Sequence, residues 1–220
     1  MPGALRSLLV VSGLLGTLLN AYASDLIGLR VFKLERVLEI WVAHSAAGPY
    51  RLKVSYPIAA MSGGLGPKRR EGDMQVPEGF YWVNRFNPNS RFHLSLGLNY
   101  PNSSDRKLGN SVHPGSDIFI HGNHVSAGCI AMTDPIIEKI YRLVIQARDH
   151  GQHSIPVSVY PCRLNERNLN WLRSTYGDRP DLQHFWSSLI PGYVLFESTR
   201  KWVRPHVGRD GYYAWPRNAG

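Results

Sequence analysis

The thirteen residues Ile120-His121-Gly122-Asn123-His124-Val125-Ser126-Ala127-Gly128-Cys129-Ile130-Ala131-Met132 hold the densest set of reactive side chains in the sequence. A thiol attacks an acyl carbon as its thiolate, and a nearby imidazole can take the proton. His121 leaves a short apolar run, and Cys129 returns after seven intervening residues. Gly122 and Gly128 let the backbone turn sharply and leave amides uncovered. The N–H groups of Gly128 and Cys129 can then face the oxyanion of a tetrahedral intermediate, where one donor is worth about 3–4 kcal/mol. This chemistry requires the Cys129 sulfur ionised and reachable beside the His121 ring.

Other readings of the same residues stand beside it. His121, His124 and Cys129, with His113 or Asp117, could hold zinc, although no Cys-x-x-Cys or His-Glu-x-x-His spacing supports that. His121 could be a satisfied core residue and Cys129 a small buried apolar group. A base far downstream of the cysteine, from His150, His153 or His184, is a further option that no local pattern marks.

The elements that position this segment follow from periodicity. Leu29–Lys33 and Leu38–His44 read as a β-hairpin, and Arg51–Ile58, Phe80–Phe86, Phe92–Leu98, Asp117–His121 and Pro156–Tyr160 as further strands. Residues 62–79, with five glycines, two prolines and six charges, form a long loop of the kind that is usually functional. Residues 101–115 also read as a loop. One long helix follows the cysteine: Asp134 is its expected N-cap, Pro135 its first residue, and Ile136, Ile137, Ile140, Tyr141, Val144 and Ala147 its apolar stripe, closed by Gly151. Helices are expected at Glu166–Tyr176 and Asp181–Leu189, with a separate piece after Pro191-Gly192. The basic, aromatic tail 198–220 contains a possible hairpin over Val207–Trp215, and its expected role is to cover a sheet edge. The fold class is therefore β-rich α+β with a helical C-terminal extension.

Composition narrows the function. With 43% hydrophobic and 19% charged residues, the 220-residue chain can bury a core and is not disordered. The first 23 residues resemble a secretory signal peptide, with Arg6, an apolar stretch from Leu8 to Leu19, and Ala21-Tyr22-Ala23 before a cleavage point; an uncleaved anchor is the alternative. No later apolar run is long enough to span a bilayer. Removing Arg6 with the leader lowers the net charge from +9 to +8. An exported basic protein does not meet chromosomal DNA; its polyanionic partners are membrane surface, wall polymers or acidic peptides, unless the charge serves solubility alone. Export would also permit a Cys129–Cys162 disulfide, although Cys162, at the end of a strand, suits a core role.

His121-Gly122 followed by Ser126-Ala127-Gly128-Cys129-Ile130-Ala131-Met132 resembles the active-site motif of the L,D-transpeptidase (YkuD-type) catalytic domain family. The stretch Gly72-Asp73 to Pro77-Glu78-Gly79-Phe80-Tyr81 is similar to that family's upstream motif, with Val76 where threonine is usual. Ser62-Gly63-Gly64-Leu65-Gly66-Pro67-Lys68, Pro101-Asn102 with Asp105-Arg106, and Phe185-Trp186 with Pro191-Gly192-Tyr193 resemble its periplasmic YafK/DpaA-like branch. The resemblance implies a β-sandwich catalytic domain over 24–162 with an extension over 163–220 packed on it. It implies Cys129 as nucleophile, His121 as base oriented by the carbonyl near Gly122, and an oxyanion hole at Gly128 and Cys129. Ser126 would shape the loop, and Ser126, Lys68, Tyr81 and Arg106 would meet substrate. The substrate would be the diaminopimelate-containing stem peptide of peptidoglycan, attacked to give a thioester, with no cofactor and no metal. Two departures bear on the acceptor: Ala127 replaces the usual histidine and Ala131 the usual arginine. A weaker grip on an acceptor strand fits hydrolysis of an amide joining peptidoglycan to a lipoprotein, as that branch implies. A wall-binding module without catalysis is the rival reading.

Overall fold

The computed structural model describes residues 25–46 and 48–216; the expected leader lies outside them. Leu26–Phe32 (β1) and Val37–Ala43 (β2) form the expected antiparallel hairpin, and Arg51–Pro57 (β3) pairs on the far side of β2. Gly79–Ser90 (β4) and His93–Leu98 (β5) make a second hairpin, extended by Phe119–His121 (β6) and Ile130–Ala131 (β7). Ile155–Tyr160 (β8) joins the halves, parallel to β1 and antiparallel to β4. The result is one mixed eight-stranded sheet in the order β3-β2-β1-β8-β4-β5-β6-β7. The strands of the expected sandwich are thus hydrogen-bonded into one continuous sheet within a sheet-rich α+β fold.

Asp134–Asp149 (α2) packs on one face, burying Ile137, Ile140, Tyr141, Val144 and Ala147 against Val83, Leu96, Leu98, Ile120 and Ile130. Its N-cap is Thr133 rather than Asp134. The Asp134 carboxylate instead accepts the Asn123 amide at 2.7 Å, which fixes the loop leaving β6. Ser103–Leu108 (α1) occupies part of the segment expected to be loop. Its capping box explains it: the Asn102 side chain accepts from the Ser104 and Asp105 amides while Asp105 accepts from the Asn102 amide.

The helical extension consists of Glu166–Thr175 (α3) and Pro180–Thr199 (α4). The second is a single 20-residue helix that runs through Pro191, so the fold has two long helices and the expected break is absent. An interior proline costs about 3 kcal/mol. Here the stripe Leu182, Phe185, Trp186, Leu189, Tyr193 and Phe196 is buried on both sides of Pro191, and that burial outweighs the cost. Leu182 to Tyr193 of this stripe pack with Phe32, Tyr160 and Cys162 against the sheet face opposite α2, and Phe196 packs with Trp41, Ala43 and Tyr50. The tail follows the same face: Trp202 lies where a Cβ on Gly28 would stand and Tyr213 where one on Gly79 would stand. His206–Val207 (β9) and Tyr213–Ala214 (β10) form the expected small hairpin. The extension therefore covers a sheet face, not an edge, because its aromatic residues find room over strand glycines, Gly28 within β1 and Gly79 at the start of β4.

Candidate active site

His121 ends β6 and Cys129 immediately precedes β7. The parallel register pairs Ile120 with Ile130 and His121 with Ala131. Extending that ladder by one residue sets Cys129 beside Phe119. Alternation then puts Phe119, His121 and Cys129 on one face, opposite to the core residues Ile118, Ile120 and Ile130. His121 is buried, and its ring lies against Phe92 at a tilt of 30°, with centroids 4.6 Å apart.

The His121 Nδ1 lies 2.6 Å from the Gly122 carbonyl oxygen. A carbonyl only accepts, so Nδ1 carries the proton and Nε2 presents a lone pair. Burial holds this imidazole below its ordinary value, partly offset by the Gly122 hydrogen bond, so it rests neutral. Cys129 is half-buried. Burial pushes its thiol up, against the Phe119 amide, which lowers it; the Asp117 charge raises it and Lys68 lowers it. Its Sγ donates to the Asp117 carbonyl at 3.6 Å. Burial therefore favours the thiol and the neutral imidazole at rest, where the sequence reading asks for an ionised sulfur. Desolvation of both groups is the cause.

The loop between them is tied from several sides. Ser126 Oγ donates to the Cys129 carbonyl at 2.7 Å. The Gly128 amide donates to Ser62 Oγ at 2.6 Å, and Ser62 Oγ donates in turn to the Met74 carbonyl at 2.7 Å. The Gly128 amide is thus occupied in this state, whereas the Cys129 amide has no partner among the described residues. In the sequence reading Ser62 stands only as part of a branch motif, with no role in the site. Its place at the head of the Gly63-Gly64 stretch was the available signal.

The remaining candidates lie in different places. Lys68 is buried, its Nζ donating to Asp73 at 2.7 Å and to the Arg70 carbonyl at 2.9 Å. Asp73 also accepts the Arg69, Arg70 and Gln75 amides. These bonds hold its carboxyl below the usual range against the opposing effect of burial. Lys68 is thus held within the loop by Asp73 while its charge still reaches Cys129. Tyr81 is buried in the core, its hydroxyl bonded to the Glu78 carbonyl and to Asp105 at 3.1 Å each. Asp105 faces inward and does not pair with Arg106, which is exposed on α1. The structure therefore brings His121, Gly122, Ser126, Gly128 and Cys129 together, places Lys68 near them, and sets Tyr81 and Arg106 apart.

The 62–79 loop is tied to the core through Glu78 and Lys33. Glu78, fully buried, meets Lys33 Nζ at 3.0 Å, the Gly66 amide at 2.8 Å and Trp186 Nε1 at 2.7 Å. Lys33 also donates to the Gly66 and Val76 carbonyls. Cys162 is free, like Cys129, and fully buried in the α4 cluster with its thiol pushed up to about 12 by burial. The two thiols are not bonded to each other. No group of three His, Cys, Asp or Glu side chains among the described residues is arranged to hold a metal ion. His124, the second histidine of the zinc reading, is exposed on the loop away from the buried His121.

The family model of the L,D-transpeptidase catalytic domain (YkuD) matches residues 37–159, a span that contains the whole Cys129 loop and most of the sheet. The chain belongs to the L,D-transpeptidase (YkuD) family. It is 41% identical over 186 residues to YafK of Escherichia coli (strain K12), an L,D-transpeptidase by name, covering 82% of this chain and 72% of that protein. Among solved structures, a lysine-to-alanine mutant of the helical cell shape determining protein Pgp2 from Campylobacter jejuni superimposes with a TM-score of 0.50 at 21% identity. That match covers 78% of this chain and 59% of Pgp2, so the chain spans about three fifths of its length and shares its fold. No described helix is long and apolar enough to cross a membrane.

Proposed function

We propose that this L,D-transpeptidase-family chain is a cysteine acyl-transfer enzyme of the periplasm acting on peptidoglycan stem peptides. Residues 24–162 would form the catalytic domain and 163–220 an extension packed on it, after removal of a leader over 1–23. The observation that carries the reading is the His121 tautomer: Nδ1–H is committed to the Gly122 carbonyl, so Nε2 is left as base on the sheet face that carries Cys129.

In this mechanism Nε2 takes the Cys129 proton as Sγ attacks the carbonyl of the diamino-acid residue. The Cys129 amide receives the oxyanion, joined by the Gly128 amide if Ser62 yields it. The C–N bond breaks, the imidazolium protonates the leaving amine, and a thioester remains. Water or an amine then resolves it, with Nε2 again taking the proton. Alanine at 127 and 131 leaves little polar grip beside the thiol for a second peptide strand. That favours water and an amide link to a lipoprotein over cross-linking.

Mass spectrometry of sacculi incubated with the protein tests this. Shortened stems or freed lipoprotein without exchanged residues are expected, together with an acyl adduct on Cys129. Absence of any adduct, with sacculus binding retained by wild type and Cys129→Ala alike, would establish a wall-binding module instead.

A further inference from the structure

The sheet face that carries Cys129 also carries a groove of about 900 Å³ whose lining includes neither Cys129 nor His121. Its lining includes Trp82 and Asn84 of β4, Arg106 and Lys107 of α1, and Trp202 and Arg204 of the tail. We propose that this groove seats a carboxylate-bearing stretch of the wall glycopeptide, several residues away from the bond presented to Cys129. The proposal rests on the acyl-transfer reading.

Charge points to the ligand. Arg106, Lys107 and Arg204 line the groove, and no Asp or Glu does among the described lining residues. Most other guanidiniums engaged near the sheet are matched by acids: Arg30 and Arg200 by Glu197, Arg85 by Asp117, Arg163 by Glu39. Arg106 and Arg204 pair with no carboxylate among the described residues. Arg204 lies over the Trp82 ring at 4.3 Å, which holds its fork in place at the groove wall. Such a fork binds a carboxylate in two-point fashion. The half-buried faces of Trp82 and Trp202 and the amide of exposed Asn84 suit the apolar faces and hydroxyls of sugar rings.

Geometry points to the same substrate. Arg85, next to Asn84, pairs across to Gly97, and Gly97 pairs to Phe119. A Cβ on Gly97 would stand 2.9 Å from the Arg85 side chain and 3.1 Å from the Phe119 ring, so this row lies on one face. Cys129 stands beside Phe119 in the next strand position. Three strand spacings, roughly 14 Å, therefore separate the groove edge from the thiol. About four extended residues span that distance.

The test uses full-length Cys129→Ala protein, so that binding is read without turnover. Retention on purified sacculi and affinity for a soluble disaccharide-tetrapeptide are compared with those of the same protein carrying Arg106→Glu and Arg204→Glu, with circular dichroism and melting temperature to check folding. A loss of at least tenfold on both ligands is the expected result, with Arg106→Lys and Arg204→Lys recovering only the part that charge alone supplies, since an ammonium cannot make the two-point contact. Unchanged affinity for the disaccharide-tetrapeptide would overturn the proposal. So would loss confined to anionic phospholipid vesicles, which would make the groove a membrane contact. Acyl-adduct formation by protein with Cys129 intact is measured separately. An adduct with unaltered groove binding sinks the groove alone; absence of an adduct sinks the acyl-transfer reading whatever the groove binds.

Discussion

The Gly128 amide nitrogen lies 2.6 Å from Ser62 Oγ, a contact made across 66 residues of sequence. Ser62 belongs to the long glycine-rich loop, and Gly128 precedes the thiol. The hydrogen bond makes the first a support for the second. Ser62→Ala is expected to lower stability by about 1 kcal/mol. It should also slow acyl-adduct formation about tenfold, with Ser62→Thr recovering most of the loss. Urea unfolding and rapid-quench mass spectrometry check the two parts.

In the proposed mechanism His121 is the proton acceptor for the thiol. His121→Gln should lower the rate of adduct formation by about 10²–10⁴ while leaving sacculus binding within twofold. Cys129→Ala should abolish the adduct. A rate for His121→Gln within threefold of wild type would show that another group takes the proton.

The pH dependence has two distinct limbs. Adduct formation needs neutral His121, whose value is held below the ordinary 6.5 by burial, so the rate should climb with pH and level off before neutrality. Direct alkylation by a small haloacetamide needs thiolate. The Cys129 value is raised above 9.0, so that reaction should climb only in alkaline solution. Cys162 should label later still, since it is fully buried and pushed up to about 12. A preformed thiolate, absorbing in the ultraviolet at neutral pH, would contradict this picture.

The Lys68–Asp73 pair holds the turn that faces Cys129. Asp73→Asn leaves a buried ammonium without its counter-charge and should cost about 3 kcal/mol in urea unfolding. Asp73 is depressed in the folded state, so its contribution is present above the ordinary carboxylate range and is lost as pH falls through the folded value. The wild-type advantage over Asp73→Asn should therefore shrink in acid.

Asp105 predicts the opposite trend. Burial pushes its carboxyl up to about 7 from 3.8. The protonated form is favoured in the folded state, so its contribution is complete below the unfolded value and is lost as pH rises through about 7. Asp105→Asn should gain on wild type by about 1–3 kcal/mol between pH 5 and pH 8 in urea unfolding.

The return of Cys129 beside the strand that ends in His121 was legible because two glycines and a strand end leave few ways to close seven residues. The central strands were legible from β-branched and aromatic runs. The course of α4 through Pro191 was not, because local propensity argues for a break and only the buried stripe against β1 and β8 overrules it. The inward turn of Asp105 and the burial of Tyr81 were equally hidden: both depend on partners brought in from distant strands. The resting charge of Cys129 depends on burial, which residue types alone do not give.

The hydrogen bond from Trp186 to Glu78 joins α4 to the loop that supports Gly128. The span common to the family ends at residue 159, well before Trp186. The shared region alone therefore lacks one of the three contacts that hold Glu78. A chimera that takes residues 24–162 from this chain and its remainder from a distant relative would leave Glu78 with Lys33 and the Gly66 amide but without the indole of Trp186, loosening the loop that carries Ser62.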